Sequence, residues 1–209
     1  DDGLGYNDYL EQLTYLLFLK MADENKSKYS LPDICNWKEL VAISGGPLLE
    51  QYEQILKTLA ESGGMLEKIF ASAQNKISDS VKLKKLLHLI DEDDWSTTDS
   101  DVNGEIYETL LQKHAENSGA GQYFTPRPVI QAMVECMNPI PGETIADPSC
   151  GTGGFFLGAL KHIHQNNKLT KNQENFLKFD TFHGWEIEKA TARLCLMNLY
   201  LHCIGDLQK

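Results

Sequence analysis

At 209 residues, 42% hydrophobic and 23% charged, the chain is long enough for one or two domains with cores of their own. Its net charge of −11 resides wholly in residues 1–118, which hold 22 acidic and 11 basic side chains against 8 of each in residues 119–209. Neither part has the basic excess of a protein that grips nucleic-acid phosphates unaided. The longest apolar stretch, Leu13–Met21, is broken by Thr14 and Lys20 and cannot span a bilayer.

The first half reads as helical. Leu10, Leu13, Leu16, Leu17 and Met21, with Tyr6 and Tyr9 beside them, follow helical spacing that ends in the polar run Asp23–Lys28. Residues 47–60 form a second helix, with Pro47 near its start and Leu48, Tyr52, Ile55, Leu56 and Leu59 on one side, stopped by Gly63-Gly64. Met65–Phe70 and Ser80–Ile90 are shorter helices. Lys82, Lys84 and Lys85 on the latter read as a solvated face, because the acidic run Asp91–Asp94 cancels them at once. Asp101–His114 is a further helix, with Ile106, Leu110 and Leu111 inward, and the polar loop Asn117–Gly121 marks a domain boundary.

From Gly121 the pattern changes. GQYFTPRPVIQAMVECM is a turn entering a helix, with Thr125 as a cap and Pro126 and Pro128 at entry positions; Val129, Ile130, Met133, Val134 and Met137 form its apolar face. Thr144–Ala146 is a short strand, Phe155–Leu160 opens an apolar helix, Gln165–Gln173 is a polar stretch, Thr181–Ile187 is a second strand and Ala190–Ile204 a long apolar helix. That alternation predicts a parallel α/β sheet.

The five cysteines, Cys35, Cys136, Cys150, Cys195 and Cys203, show no paired spacing and fit reduced thiols in a cytoplasm. The opening residues do not read as a charged n-region with a cleavage site, so secretion is not expected. The grouping Cys195, His202, Cys203 matches no common ligand pattern, and His162 and His164 do not share a helix face, so no metal site is assigned.

The most informative stretch joins the first strand to its helix: Asp147-Pro-Ser-Cys150-Gly151-Thr152-Gly153-Gly154-Phe-Phe156. The glycines allow a sharp turn and close ligand approach at the carboxyl end of a strand. A dinucleotide fingerprint would need a third glycine where Phe156 stands, so that motif fails. Asp147 at the strand end would repel a pyrophosphate but suits an ammonium-bearing ligand. S-adenosylmethionine carries an ammonium and a sulfonium. Glu186, ending the second strand, could bind two ribose hydroxyls.

With GQYFTPRPVI, ADPSCGTGGFF and GWEIEKATARLCLMNLYLHCIG in this order, the chain resembles the modification (M) subunit of type I restriction-modification systems. DDGLGYNDYLEQLTYLLFLKMADE and DVNGEIYETLLQKHAE extend the resemblance over nearly the whole chain. It implies a Rossmann-like α/β methyltransferase fold with an incomplete parallel sheet, preceded by an all-α N-terminal domain. Residues 1–118 would be the helical domain, serving assembly or clamping DNA; residues 119–209 would be the first part of the methyltransferase domain. The implied activity is transfer of a methyl group from S-adenosylmethionine to adenine N6 in DNA. Implied partners are a specificity (S) subunit, a second M subunit and a restriction (R) subunit, with double-stranded DNA reached through the complex.

By position, the resemblance puts Gln122, Tyr123, Phe124, Thr125, Pro126 and Arg127 at the methionine end of the cofactor. Asp147, Cys150, Gly151, Thr152, Gly153 and Gly154 would form the loop beneath it, Glu186 would hold the ribose, and Ile187 would lie by the adenine. The family's catalytic Asn/Asp-Pro-Pro-Tyr/Phe segment has no counterpart here, since Asn138-Pro139-Ile140-Pro141 lacks the paired prolines and the aromatic. No catalytic residue is therefore assigned; these 209 residues are expected to be a truncated piece of a methyltransferase subunit, or one from which segments are omitted, unable to methylate alone, with exposed apolar surface and poor solubility or oligomerisation. Two other readings stay open: methylation of RNA or protein by the same fold, and a non-catalytic interaction module.

Overall fold

The computed structural model describes residues 5–24, 31–92, 109 and 125–205. The helix expected over Asp101–His114, apart from Thr109, and the loop Asn117–Gly121 lie outside the described residues. Elements up to Asp91 form one compact unit and those from Arg127 form another.

The first unit is built of helices α1 (Tyr6–Glu24), α2 (Trp37–Ala42), α3 (Gly46–Ala60), α4 (Gly64–Phe70) and α5 (Ser80–Asp91), with a 3-10 turn at Asp33–Cys35. From Thr14 to Ala22 every residue of α1 is buried, polar Thr14 and Lys20 included, as expected of a helix surrounded by others. The α3 stripe Leu48, Tyr52, Ile55, Leu56 and Leu59 is buried as its spacing predicts. Two buried polar groups on α1 find partners. Gln12 donates to the Gln74 carbonyl at 3.0 Å and accepts from the Tyr52 hydroxyl at 3.3 Å. Lys20 pairs with Glu24 at 2.8 Å and Asp91 at 2.7 Å, while the Trp37 indole N–H donates to the same Asp91 oxygen at 2.7 Å. Such partners are what make a buried charge tolerable.

One expectation about α5 is corrected. Lys84 is not simply solvated: its ammonium donates to the carbonyls of Val41 and Ile43, the latter at 2.7 Å, and so satisfies groups at the α2 C-terminus. A cation there is favoured by the helix dipole as well as by the orphan carbonyls.

The second unit runs α6 (Arg127–Met137), β1 (Ile145–Asp147), α7 (Gly154–Asn166), α8 (Lys171–Phe179), β2 (Phe182–Gly184) and α9 (Lys189–Leu201). The strands are parallel, with Ile145 opposite Phe182, Ala146 opposite His183 and Asp147 opposite Gly184. Leu157, Leu160, Ile163, Leu177 and Ile204 form the core, with Ile145, Leu169, Phe182 and Leu199 packed on it.

Four sequence expectations need correction in this unit. Helix α6 is capped by Pro126 without a side-chain bond, so Thr125 is not the cap. Of its apolar face only Ile130 and Val134 are buried, whereas Val129, Met133 and Met137 are exposed. Close helix approach explains the choice: a Cβ on Gly158 would lie 2.7 Å from Ile130 Cγ2 and 3.4 Å from Val134 Cγ2, so α7 presents a glycine to those two side chains. The second strand is shorter than Thr181–Ile187 and ends at Gly184. Finally, the end of the polar stretch belongs to α8, started by a capping box in which Thr170 and Gln173 bond each other's backbone N–H.

No helix among the described residues is long and apolar enough to cross a membrane.

Candidate cofactor site

Both strands deliver their carboxyl ends to one place, and their pairing continues past the regular ladder. Trp185 N–H donates to the Asp147 carbonyl at 3.0 Å, and Cys150 N–H donates to the Trp185 carbonyl at 3.0 Å. The turn after β1 is thereby stitched to the segment after β2. Asp147 closes its own turn by accepting from Ser149 N–H at 3.0 Å.

Glu186 lies two residues beyond β2, partly buried and facing that turn. One carboxylate oxygen accepts from Gly151 N–H at 3.1 Å, the other from Glu188 N–H at 2.8 Å. Glu188 in turn caps α9 by accepting from Ala190 N–H at 3.1 Å. The residues flanking Glu186 are apolar and open to solvent, Trp185 at 61% and Ile187 at 99% exposure.

The glycines have separate reasons. Gly151 (φ 56°) and Gly153 (φ 86°) occupy the left-handed region. A Cβ at Gly151 would meet nothing within 4 Å, so the space over this turn is open. At Gly153 a Cβ would lie 3.1 Å from the Cys195 sulfur, and at Gly154 it would lie 3.0 Å from Ile130 Cδ1. These two glycines therefore serve close packing below the loop, against α9 and α6.

Beneath the turn the Cys150 and Cys195 thiols are hydrogen-bonded to each other. Burial is the main cause that pushes both upward in pKa, and the negative charges of Asp147 and Glu186 add to it. The thiolate form is thereby disfavoured at both sulfurs.

Of the sequence-predicted site residues, the structure brings Asp147, Gly151, Thr152, Gly153, Gly154 and Glu186 together at one turn. Thr125, Pro126 and Arg127 are exposed at the start of α6. Gln122, Tyr123 and Phe124 lie outside the described residues. Asn198, which sequence reasoning passed over, is fully buried on α9 and donates to the Thr152 carbonyl at 3.0 Å. The available signal was a lone amide inside the apolar run LCLMNLYL, since a buried polar residue requires an explanation.

The turn leaves room for a ligand. There is open space over Gly151, a carboxylate beside it, and exposed apolar side chains on either side of that carboxylate.

Comparison with known proteins gives a consistent picture. The profile of the N-6 DNA Methylase family matches residues 98–208. The type I restriction enzyme StySPI methylase subunit of Salmonella potsdam is 36% identical over 98% of this chain and 41% of its own length. The EcoKI methylase subunit of Escherichia coli (strain K12) is also 36% identical, over 98% of this chain and 41% of its own length. Among solved structures, a chain from work on complex assembly and conformational transition of the type I restriction-modification system superposes with a TM-score of 0.75. It is 28% identical, and the match covers 98% of this chain and 45% of that one. The chain thus spans less than half the length of these relatives. With the profile covering the strand–turn–helix and the adjacent strand that build the site, the chain belongs to the N-6 DNA methylase family.

Proposed function

We propose that the chain carries the methyl-donor site of a type I modification subunit, which transfers a methyl group from S-adenosylmethionine to adenine N6 in DNA. The observation that carries this is the placement of Asp147, at the end of β1, and Glu186, just beyond the adjacent parallel β2, around Gly151. In this reading residues 119–209 are the first part of a Rossmann-like methyltransferase domain, and residues 1–118 are a helical domain for assembly or for clamping DNA. A specificity subunit, a second modification subunit and a restriction subunit would complete the assembly in the cytoplasm, with double-stranded DNA reached through it.

The residues fit the donor. Glu186 supplies two carboxylate oxygens for vicinal ribose hydroxyls, and the Gly151 N–H and Glu188 N–H that it accepts hold it in position. Ile187 offers an exposed apolar surface for the adenine ring. Asp147 would offer negative charge to the ammonium of the methionine end, and Gln122, Tyr123, Phe124, Thr125, Pro126 and Arg127 would complete that end. Gly151, Thr152, Gly153 and Gly154 form the floor. When bound, S-adenosylmethionine supplies an electrophilic methyl group on its sulfonium. The contribution of these residues to the reaction is orientation of that group.

Titration calorimetry of the full-length protein with S-adenosylmethionine tests the reading. Asp147→Ala and Glu186→Ala should each weaken binding at least tenfold. Unchanged affinity in both variants would remove the site assignment.

A further inference from the structure

The geometry points to Asn198 as the positioning residue that sets the Thr152–Gly153 peptide and thereby holds the methyl-donor loop in its binding form. The inference rests on the cofactor reading above and deepens it. Thr152 is followed by two glycines and preceded by a third, so its backbone neighbours offer little steric resistance to rotation of the peptide planes. Gly153 is in the left-handed region with φ 86°.

That peptide unit is held at both edges. Its N–H, on Gly153, donates to the Cys150 carbonyl at 2.8 Å. Its carbonyl, on Thr152, accepts from Asn198 Nδ2 at 3.0 Å across 46 residues of chain. Because a trans peptide directs its N–H and C=O to opposite sides, fixing both leaves the plane one orientation. The opposing face of α9 supports the same turn. Cys195, one helical turn before Asn198, and Leu199 beside it reach to 3.1 and 3.8 Å from where a Gly153 Cβ would be.

Asn198 serves no evident purpose in packing. It is 0% exposed, and its Oδ1 is buried with no hydrogen-bond partner among the described residues. A leucine of similar shape would avoid leaving a buried acceptor unpaired. The bond to Thr152 is what the amide supplies and leucine cannot.

The test uses the full-length natural protein and two variants: Asn198→Leu, which removes the donor, and Asn198→Asp, which keeps one only when protonated. In ligand-free protein, hydrogen exchange at the amides of Gly151–Gly154 should rise at least tenfold in Asn198→Leu. Amides inside α7, such as those of Leu160 and Ile163, should stay within twofold, which a general loss of stability would not allow. Binding of S-adenosylmethionine should weaken at least tenfold while DNA affinity is unchanged. In Asn198→Asp a protonated carboxyl can still donate, so binding should recover as pH falls from 8 to 6, with no matching change in the wild type. Loop exchange and cofactor affinity that match wild type in Asn198→Leu would overturn the inference. If that variant does not fold, a pH-independent Asn198→Asp would do the same. Wild-type protein that fails to bind S-adenosylmethionine overturns the cofactor reading instead, while the exchange measurement still decides whether Asn198 holds the loop.

Discussion

Glu186 accepts the backbone N–H of Gly151 at 3.1 Å, so the acid that follows the second strand holds the turn that follows the first. Its other oxygen takes the Glu188 N–H. The carboxylate is therefore part of the fold in its own right. Glu186→Ala should cost about 1 to 2 kcal/mol in urea unfolding, the usual net value of two hydrogen bonds, and Glu186→Gln, which keeps one acceptor, about half of that.

Gly158 admits α6 against α7. Alanine there gains about 1 kcal/mol in helix propensity, but its Cβ would sit 2.7 Å from Ile130 Cγ2 and overpacking costs about 1 to 3 kcal/mol. The net expectation for Gly158→Ala is destabilisation of about 1 kcal/mol. Combined with Ile130→Ala, the two changes should be less than additive by about 1 kcal/mol or more, because the new methyl occupies vacated space. Chemical denaturation of the double-mutant cycle measures this; simple additivity would exclude the contact.

Asp91 gives the helical unit a defined pH response. Its hydrogen bond from Lys20 holds the carboxyl below the ordinary 3.8, with Trp37 assisting against the opposing effect of burial. Burial acts to lower Lys20, but its bonds to Asp91 and Glu24 outweigh this and leave it above 10.5. The pair thus contributes fully above pH 3.8 and below pH 10.5, and is lost as pH falls through the lowered value or rises through the raised one. Asp91→Asn keeps an acceptor for Trp37 and removes the charge. Its urea midpoint should lie below wild type at pH 7, and the gap should close as the solution is acidified past pH 3.8.

Thiol reactivity should follow burial. Cys35 is buried and pushed up to about 12, and burial drives Cys195 higher still. Cys136 is exposed on α6. Brief iodoacetamide treatment followed by peptide mass spectrometry should find Cys136 modified first, with Cys35 and Cys195 modified only after unfolding. Early labelling of Cys195 would contradict the packing beneath the glycine turn.

Much of the core was legible because helical periodicity reports burial directly. The α3 stripe is an example; the strand before the glycine turn was legible from its short apolar run instead, one residue earlier than it forms. Less visible was anything decided by a distant neighbour. The glycine at position 158 is what selects Ile130 and Val134 for burial and leaves Met133 and Met137 outside. Lys84 looked solvated because its partners are carbonyls 41 and 43 residues away. Helix α8 buries only Leu177, so periodicity was weak there, although the spacing of Thr170 and Gln173 did announce its start. That Asp147, the glycine turn and Glu186 lie close together was legible from their order along a parallel α/β unit. Asn198 was not, since its purpose depends on a carbonyl that the fold brings to it.

The parallel register has a consequence for how the chain tolerates changes in length. Asp147 and Gly184 are matched through strand pairing, and two helices lie between them in sequence. Residues added between Asn166 and Lys171 would lengthen a connection without altering which strand ends meet. A single residue added between Gly184 and Glu186 would carry the carboxylate out of reach of Gly151 at once. The long interval between the two acids is elastic, and the two-residue interval is rigid.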